Sequence, residues 1–236
     1  MQSFAYMVGS VVAGKLRPTN SFGSKFDTDN VLGTAFVVDV RTGTCLTCSH
    51  VLTDDDITSD KEFAFATLDE NHNFSLHLVI KSSLRRHPTV DVMMFQVENA
   101  GSLKAWTVGT SELSLASDVT VLGFAKDHLA SNIGNNKVIP RALKSYVVSE
   151  YATECEIDKP LITTMSGSPV LSGDKVLGIA AANRQYAIDQ YLVESVVHQV
   201  DGVAVNKEVY EYKETSRFGV FVKASSWSSW LAEAIT

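Results

Sequence analysis

Short runs rich in β-branched and aromatic residues recur along most of this chain. They are separated by turn-forming residues at intervals of roughly 8–12 positions, a spacing typical of a β-sandwich or β-barrel. The N-terminal stretch up to Lys15 has neither the basic start of a signal peptide nor the length of a membrane span, so it is interpreted as a strand. Further strands are predicted at 32–40, 44–48, 62–68, 74–80, 91–97, 118–124, 143–151, 168–171, 175–182, 203–212 and 218–223.

One amphipathic segment at the C-terminal end departs from this β pattern. Apolar residues stand at 227, 230, 231, 234 and 235, which is a 3.6-residue period. The pattern predicts a helix over 224–236, with Ser225 or Ser226 as N-cap. No repeat, low-complexity tract or linker interrupts the chain. We therefore expect one domain over 1–236, with two β subdomains at about 1–105 and 106–223.

The composition limits the classes of partner. With 236 residues, 45% of them hydrophobic, the chain is able to bury a large core. Its formal net charge is −7, so broad electrostatic attraction to nucleic acid or to an anionic membrane is not expected. A local basic patch remains an alternative. The predicted partners accordingly include no nucleic acid and no membrane.

Three cysteines, Cys45, Cys48 and Cys155, make an odd number. An odd number argues against a disulfide scaffold and favours a reducing, cytoplasmic location. The C-x-x-C pair raises the alternative of zinc or redox chemistry. However, the pair lies in an extended segment, where an odd offset turns the two side chains to opposite faces, and no second ligand pair occurs. Small core residues are therefore the favoured interpretation, and no metal or cofactor is predicted.

Three residues stand in contexts that favour catalysis by a serine nucleophile. A serine hydroxyl needs an adjacent base, and the base needs a third group to orient it. His50 follows a strand in TCLTCSHVLT, Asp91 opens an apolar strand in HPTVDVMMFQV, and Ser166 lies in TTMSGSPVLSGDKVLGI. The plainer alternatives are a packed histidine, a strand-capping aspartate and a turn serine. Among the other histidines, His87 is interpreted as a surface turn residue.

The segments around these residues resemble the signature blocks of chymotrypsin-like serine peptidases. GTAFVVDVRTGTCLTCSHVL, TVDVMMFQV and MSGSPVLSGDKVLGI follow the family's order, and FGVFVKASSWSSWLAEAI is similar to its last strand and helix. The resemblance is strongest to the bacterial trypsin-like group that includes glutamyl endopeptidases and high-temperature-requirement proteases. It implies two six-stranded antiparallel β-barrels with a C-terminal α-helix. It also implies a serine endopeptidase with His50, Asp91 and Ser166 as catalytic residues.

By the same resemblance, backbone amides of Thr164, Met165 and Ser166 form the oxyanion hole. The family places a glycine where this chain has Thr164, and a β-branched residue is strained at positive φ. Two alternatives follow: a shortened loop that uses a different amide, or a hole that is collapsed until substrate or a partner reorganises it. Met165 replaces the acid that zymogen-activated members carry, so activation by N-terminal processing is not expected.

The resemblance also places the primary substrate pocket. None of its residues is charged, which predicts an uncharged P1 side chain unless Asp158 or Glu156 turns inwards. Residues 184–216 are interpreted as a solvated excursion, with a hairpin that contacts substrate or partner as the alternative. The pocket residues are Pro160, Leu161, Ala180, Ala181, Ala182 and Asn183.

The predicted function is an endopeptidase that cleaves proteins or peptides through an acyl-enzyme on Ser166. A catalytically silent protein-binding module with the same fold is the alternative from another class. An esterase or an assembly-regulated protease shares the nucleophile. A regulatory protein partner or a fused module also remains open.

Overall fold

The first half of the chain forms a closed six-stranded barrel in the computed structural model, which describes residues 5–11, 31–60, 62–68, 74–125, 140–200 and 203–235. Its strands are β1 (Ala5–Val11), β2 (Val31–Asp39), β3 (Thr44–Thr47), β4 (Glu62–Leu68), β5 (Phe74–Arg86) and β6 (Met93–Val97). They pair antiparallel in the order β1-β2-β3-β6-β5-β4. The aromatic side chains of Phe36, Phe63, Phe65 and Phe95 fill the barrel.

The second half forms a second sheet. Its strands are β7 (Thr107–Val108), β8 (Asp118–Gly123), β9 (Arg141–Glu150), β10 (Glu154–Ile157), β11 (Pro169–Ser172), β12 (Lys175–Val200) and β13 (Val203–Lys223). The order is β11-β8-β9-β10-β13-β12-β7, and an additional pairing of β11 with β12 closes six of the strands. Strand β7 is added in parallel at the side of β12. The predicted double-barrel architecture is therefore confirmed.

Alternation along the strands explains which faces are buried. In β8, Val119 and Val121 are buried because every second side chain points into the barrel. In β10 the intervening Glu156 is buried as well as Cys155 and Ile157. The apolar residues of both strands form a separate core cluster with Phe221 from β13. The second barrel thus has a core cluster of its own, whereas the cluster that fills the first barrel extends to Leu171, Ile179 and Val222 of the second sheet.

Two α-helices occur among the described residues, and one was not predicted. Helix α1 (Asp54–Thr58) begins at a capping box, in which the Thr53 side chain accepts a hydrogen bond from the amide of Asp56. The T-x-x-D pattern that signals this start is present in the sequence. Neither helix has the length and apolarity needed to cross a membrane.

The C-terminal helix α2 spans Ser228–Ile235, so the predicted start at 224 was wrong. Residues Ala224–Ser226 form a 3-10 turn instead. The reason is Trp227, which is fully buried and has backbone angles of −133° and −9°, outside the helical region. Burial of this indole in the core overrides the helical periodicity of the segment.

Strands β12 and β13 continue well beyond the barrel as a paired ribbon. Their register runs from Gly178 opposite Lys223 to Val200 opposite Val203. The predicted strand 175–182 is therefore longer than expected, and the predicted strands 203–212 and 218–223 are one strand. The backbone of 184–216 is mainly hairpin, which starts at the strand residues assigned to the substrate pocket.

Candidate active site

His50 and Asp91 are directly paired at the edge of the first barrel. His50 lies in a 3-10 turn, Ser49–Val51, immediately after β3, and Asp91 lies in the loop before β6. Nδ1 of His50 is 2.6 Å from Oδ2 of Asp91, and the His50 amide donates to Oδ1 at 3.1 Å. This two-point contact fixes the ring and leaves Nε2 as the nitrogen available for proton transfer.

The carboxylate of Asp91 is well placed to orient the imidazole. Burial alone would raise the pKa of Asp91, but its hydrogen bonds with His50 and the charge of that ring outweigh burial and lower the pKa. Asp91 is therefore ionised at neutral pH. Because an ionised carboxylate only accepts hydrogen bonds, it selects the tautomer in which Nδ1 of His50 carries the proton.

Two residues that sequence reasoning missed hold the turn of His50 in place. The guanidinium of Arg86 donates to the carbonyl oxygens of Ser49 at 2.5 Å and Leu52 at 2.6 Å. The hydroxyl of Ser49 donates to the carbonyl of Val92 at 2.8 Å, which ties the turn to the strand after Asp91. The sequence offered no signal for Arg86, since its partners are 34 and 37 positions away.

Ser166 lies in the second barrel, in the loop between β10 and β11. Its hydroxyl donates to the carbonyl of Ala181 at 3.1 Å. Within the described part of the chain, no hydrogen bond joins Ser166 to His50. The backbone carbonyl of Ser166 accepts from the amide of Thr34 at 2.8 Å, so the loop is bound to β2 of the first barrel. The predicted nucleophile therefore sits at the junction of the two barrels.

Thr34 is the central residue of that junction and is fully buried. Its hydroxyl donates to the carbonyl of Thr164 at 3.1 Å and accepts from the amide of Phe124 at 3.1 Å. Its own carbonyl accepts from the hydroxyl of Thr47 at 2.8 Å. Side chain and backbone of this one residue thus connect the nucleophile loop, the second barrel and the strand that leads to His50. From the sequence, the GTAF segment indicated only that Thr34 lies in a strand.

Thr164 adopts the left-handed conformation at φ 71°. This conformation costs a non-glycine residue about 1–2 kcal/mol. The cost is offset locally, because the Thr164 hydroxyl shares its proton between the carbonyls of Phe124 at 2.8 Å and Thr163 at 2.6 Å. The positive φ of Thr164 is therefore stabilised by hydrogen bonding of its own side chain. This is a third arrangement, beside the shortened loop and the collapsed hole that the sequence suggested.

The amides of the nucleophile loop differ in availability. The amide of Met165, predicted as an oxyanion donor, is bonded to the carbonyl of Ile162 at 3.0 Å and is not available in this conformation. By contrast, the amides of Thr164 and Ser166 donate to no acceptor among the described residues. The Met165 side chain is fully buried in the second core, where it fills an apolar site. Among the described residues, the free amides of Thr164 and Ser166 thus stand on either side of the Met165 amide, which stabilises the turn.

The Thr164 hydroxyl provides a test of this loop. Replacement by valine keeps the β-branched shape but removes the bond to Phe124, so we expect kcat/KM for peptide hydrolysis to fall about 10-fold or more. Replacement by serine keeps the hydroxyl and should stay within about threefold of the parent chain. Steady-state kinetics of the two variants makes the comparison. Equal losses in both would contradict the anchoring role.

The residues predicted to line the substrate pocket occupy different levels of the second barrel. Ala180 and Leu161 are buried in the core cluster of the second barrel, and Ala181 is buried in the cluster that fills the first barrel. Pro160, Ala182 and Asn183 are exposed. Asn183 and Leu161 are directly bonded: Oδ1 accepts from the Leu161 amide at 2.6 Å, and Nδ2 donates to the Leu161 carbonyl at 2.8 Å.

Neither acid that was considered for the pocket is free to enter it. The Glu156 carboxylate, 2% exposed, accepts from Arg184 at 2.8 Å and from the Tyr186 hydroxyl at 2.6 Å. Burial would raise the pKa of Glu156, but the hydrogen bonds from Tyr186 and Arg184 lower it. The same contact raises the pKa of Tyr186 to about 12. Asp158 accepts hydrogen bonds from the Ser145 hydroxyl and the Tyr146 amide.

Cys48 lies beside the paired His50 and Asp91, with potential ligand atoms of the three within 4.8 Å of one another. The thiol is fully buried and donates to the carbonyl of Ala180 at 3.1 Å. Burial, together with the charge of Asp91, raises the pKa of Cys48 well above its usual range. A protonated thiol is a poor metal ligand, so Cys48 is interpreted as a core residue behind the His50–Asp91 pair.

His87 supports the loop that carries Asp91. Its Nδ1 accepts from the amides of Thr89 and Val90, both at 3.2 Å, and its ring packs edge-on against Trp230 of α2. Accepting two amides requires the neutral ring. His87 is thus a half-buried structural residue, whereas the sequence predicted a surface turn.

The stability of the fold is expected to fall in mild acid because of His87. Burial lowers the pKa of His87 below its ordinary value, so the unfolded chain binds this proton more readily. The contribution of neutral His87 to the free energy of unfolding is complete above about pH 6.5, and it is lost as the pH falls towards the lowered pKa. Urea unfolding at pH values on both sides of that window measures the change. A His87→Asn variant, which accepts hydrogen bonds without titrating, should lack this component; an unchanged pH dependence would contradict the assignment.

Comparisons with known proteins agree with this geometry. A family model described as a trypsin-like peptidase domain matches residues 33–179, more than half of the chain. No curated protein sequence matches the chain. Among solved structures, neuropsin, a serine protease expressed in the limbic system of mouse brain, has a TM-score of 0.62 at 9% identity. That match covers 100% of this chain and 95% of neuropsin.

A second similar structure is the HtrA-type protease AlgW with a decapeptide, at a TM-score of 0.57 and 12% identity. The match covers 98% of this chain but 63% of the AlgW chain, so this chain spans less than two thirds of that protein. At 9% and 12% identity, the similarity to these two structures shows only a shared fold. Membership of the family is shown by the family model. The chain belongs to the trypsin-like peptidase domain family and is a serine endopeptidase of the chymotrypsin-like fold.

Proposed function

We propose that this chain cleaves peptide bonds through an acyl-enzyme on Ser166, with His50 as general base and Asp91 as the residue that orients it. The observation that carries the proposal is the 2.6 Å contact between Nδ1 of His50 and Asp91, beside a serine loop that is bonded to the same barrel. Nε2 of His50 takes the hydroxyl proton as Oγ attacks the scissile carbonyl, and then returns it to the leaving amine. Water then attacks the acyl-enzyme. Nε2 of His50 takes a proton from this water and returns it to the oxygen of Ser166 as the acyl group leaves.

The oxyanion of the tetrahedral intermediate is stabilised by the amides of Thr164 and Ser166. Both lack acceptors among the described residues, and the positive φ of Thr164 is a backbone conformation that glycine adopts freely. Each such donor contributes about 3–4 kcal/mol to transition-state stabilisation. No acid stands at Met165, and its buried side chain leaves an activating N-terminus without a partner there. We therefore propose activity without N-terminal processing.

A change of the Ser166 side chain precedes attack. Its hydroxyl donates to Ala181 in the resting structure, so it must rotate towards Nε2 of His50. Substrate or a regulatory protein partner is the agent that favours this rotation. The same hydrogen bond is the one observation that favours the second candidate, a catalytically silent protein-binding module of the same fold.

The substrates are proteins or peptides, and we propose an uncharged P1 side chain. The pocket residues are uncharged, and both nearby acids, Glu156 and Asp158, are bonded elsewhere. A peptide accompanies AlgW in its structure, which supports a peptide ligand here. The cysteines Cys45, Cys48 and Cys155 are all buried free thiols, which supports the proposed cytoplasmic location.

Labelling with a fluorophosphonate tests the proposal and separates the two candidates. A functional site forms a covalent adduct, which mass spectrometry of the digested protein locates on Ser166. Heat-denatured protein is the control, because an isolated serine hydroxyl is unreactive. Absence of an adduct, with or without a peptide mixture, would exclude the enzyme and leave the binding module.

A further inference from the structure

The side chain of Arg86 bonds the turn of His50 at two points. Nη1 of its guanidinium donates to the carbonyl of Ser49 at 2.5 Å, and Nη2 donates to the carbonyl of Leu52 at 2.6 Å. These carbonyls stand one position before and two positions after His50. Because the guanidinium is a planar and rigid set of donors, bonds to two carbonyls fix both the place and the orientation of the turn. We call this pair of bonds the Arg86 fork.

The backbone of Arg86 is joined to the other member of the pair, Asp91. Arg86 ends β5 and pairs with the first residue of β6, two positions after Asp91. The next amide along the chain, that of His87, donates to the carbonyl of Val92 at 2.8 Å. The strand end that carries the fork is therefore bonded to the segment of Asp91, and the fork connects that segment to the turn of His50.

The contact between His50 and Asp91 depends on how these two segments are placed. Nδ1 of His50 is 2.6 Å from Oδ2 of Asp91, although the two side chains are 50% and 34% exposed. Such an exposed pair is only weakly held by its own attraction, since water screens the charges and both side chains are free to rotate. A displacement of about 1 Å at a reacting group costs about 100-fold in rate. Fixing the backbone on both sides of the pair is consequently important for proton transfer.

Arg86 also forms an ion pair with Asp54 at the start of α1, which offers a plainer role for its charge. Nη2 of Arg86 is 3.0 Å from Oδ1 of Asp54. The Asp54 side chain is 89% exposed, however, and exposed ion pairs contribute little. Replacement of Asp54 removes this pair and leaves the fork, so the two roles are separable.

From these contacts we infer that Arg86 is a positioning residue for peptide hydrolysis, which holds His50 against Asp91 while the imidazole takes and returns the proton of Ser166. The inference rests on the proposed peptidase function and adds a residue to it. The donors of the fork are engaged by carbonyls and not by a reacting atom. Loss of the fork should therefore lower kcat and leave KM nearly unchanged.

The experiment measures kcat and KM of the parent chain, Arg86→Lys and Arg86→Ala on a peptide that the parent chain cleaves. Lysine keeps the charge but lacks the planar fork, and alanine lacks both. We expect kcat to fall about 10-fold in Arg86→Lys and about 100-fold in Arg86→Ala, with KM within about twofold of the parent value. The Arg86 side chain is 34% exposed, so added methylguanidinium should reach the vacated space and restore part of kcat in Arg86→Ala.

Two control variants keep the fork. Asp54→Asn removes the ion pair, and Arg85→Ala removes the neighbouring exposed arginine of the same strand. Both should stay within about twofold of the parent kcat. A parent-level kcat in Arg86→Lys overturns the inference, because charge alone would then be sufficient. A loss in either control as large as in Arg86→Ala also overturns it.

Urea denaturation and labelling separate the remaining outcomes. If Arg86→Ala does not fold, Arg86→Lys decides the question, since it retains the charge and most of the side chain. A lowered urea midpoint without rescue by methylguanidinium assigns the loss to folding and contradicts a positioning role. Parent-level kcat in both Arg86 variants, with a fluorophosphonate adduct on Ser166 of the parent chain, refutes the inference and leaves the peptidase in place. Absence of that adduct refutes the proposed function, and the inference with it.

Discussion

Replacement of Ser166 by alanine is expected to lower kcat/KM for peptide hydrolysis by about 10⁴- to 10⁶-fold, because no other group can form the acyl-enzyme. The fold should be retained. The Ser166 hydroxyl makes one hydrogen bond, to Ala181, whereas the loop is held by backbone bonds that alanine keeps. Steady-state assays with a peptide that the parent chain cleaves measure the loss.

The matched control for this variant is Ser172→Ala, six positions on, at the end of β11. It should cleave at the parent rate, since Ser172 lies outside the predicted constellation. Retention of hydrolysis in Ser166→Ala would show that another residue is the nucleophile. A similar loss in both variants would indicate a general effect on the second barrel.

Gly167→Ala is expected to reduce the free energy of unfolding by about 3–5 kcal/mol and to abolish labelling of Ser166. Gly167 has φ 87°, and a Cβ atom there would stand 2.0 Å from the Thr34 carbonyl oxygen and 2.2 Å from the Thr47 hydroxyl. These atoms belong to buried strands of the first barrel, which have no room to withdraw. The substitution therefore forces the nucleophile loop away from β2.

Gly173→Ala separates steric conflict from backbone strain. Gly173 has a similar φ of 64°, but nothing lies within 4 Å of the point that an alanine methyl group would occupy there. Its substitution should cost only the strain of a left-handed alanine, about 1–2 kcal/mol, and should leave labelling intact. Urea denaturation of both variants provides the comparison. Equal losses of stability would refute the steric argument.

Much of the fold was predictable because its signals are local. The alternation in β8 follows from the sequence, since a period of two fixes which side chains point inwards, whereas β10 was not among the predicted strands. The contexts of His50 and Asp91 likewise indicated a strand end and a strand start. The paired ribbon of β12 and β13 was less predictable, because its register depends on contacts between residues far apart in the chain.

The parts of the site that sequence reasoning missed are tertiary in origin. Arg86 contacts the turn of His50 from 34 to 37 positions away, and Asn183 meets Leu161 across 22 positions. A pattern of residue types cannot encode such pairings. Thr164 illustrates the converse. Its strain was evident from its β-branched side chain, but the hydrogen bond to Phe124 that offsets the strain requires the folded structure.

The position of Thr34 has a consequence for how activity arises during folding. Its bonds to Ser166, Thr164 and Phe124 all cross between the barrels, so none can form while either barrel is unfolded. Larger proteins commonly fold one unit at a time, and docking of the units is a late step. Competence for acyl transfer would then appear only when the two barrels dock.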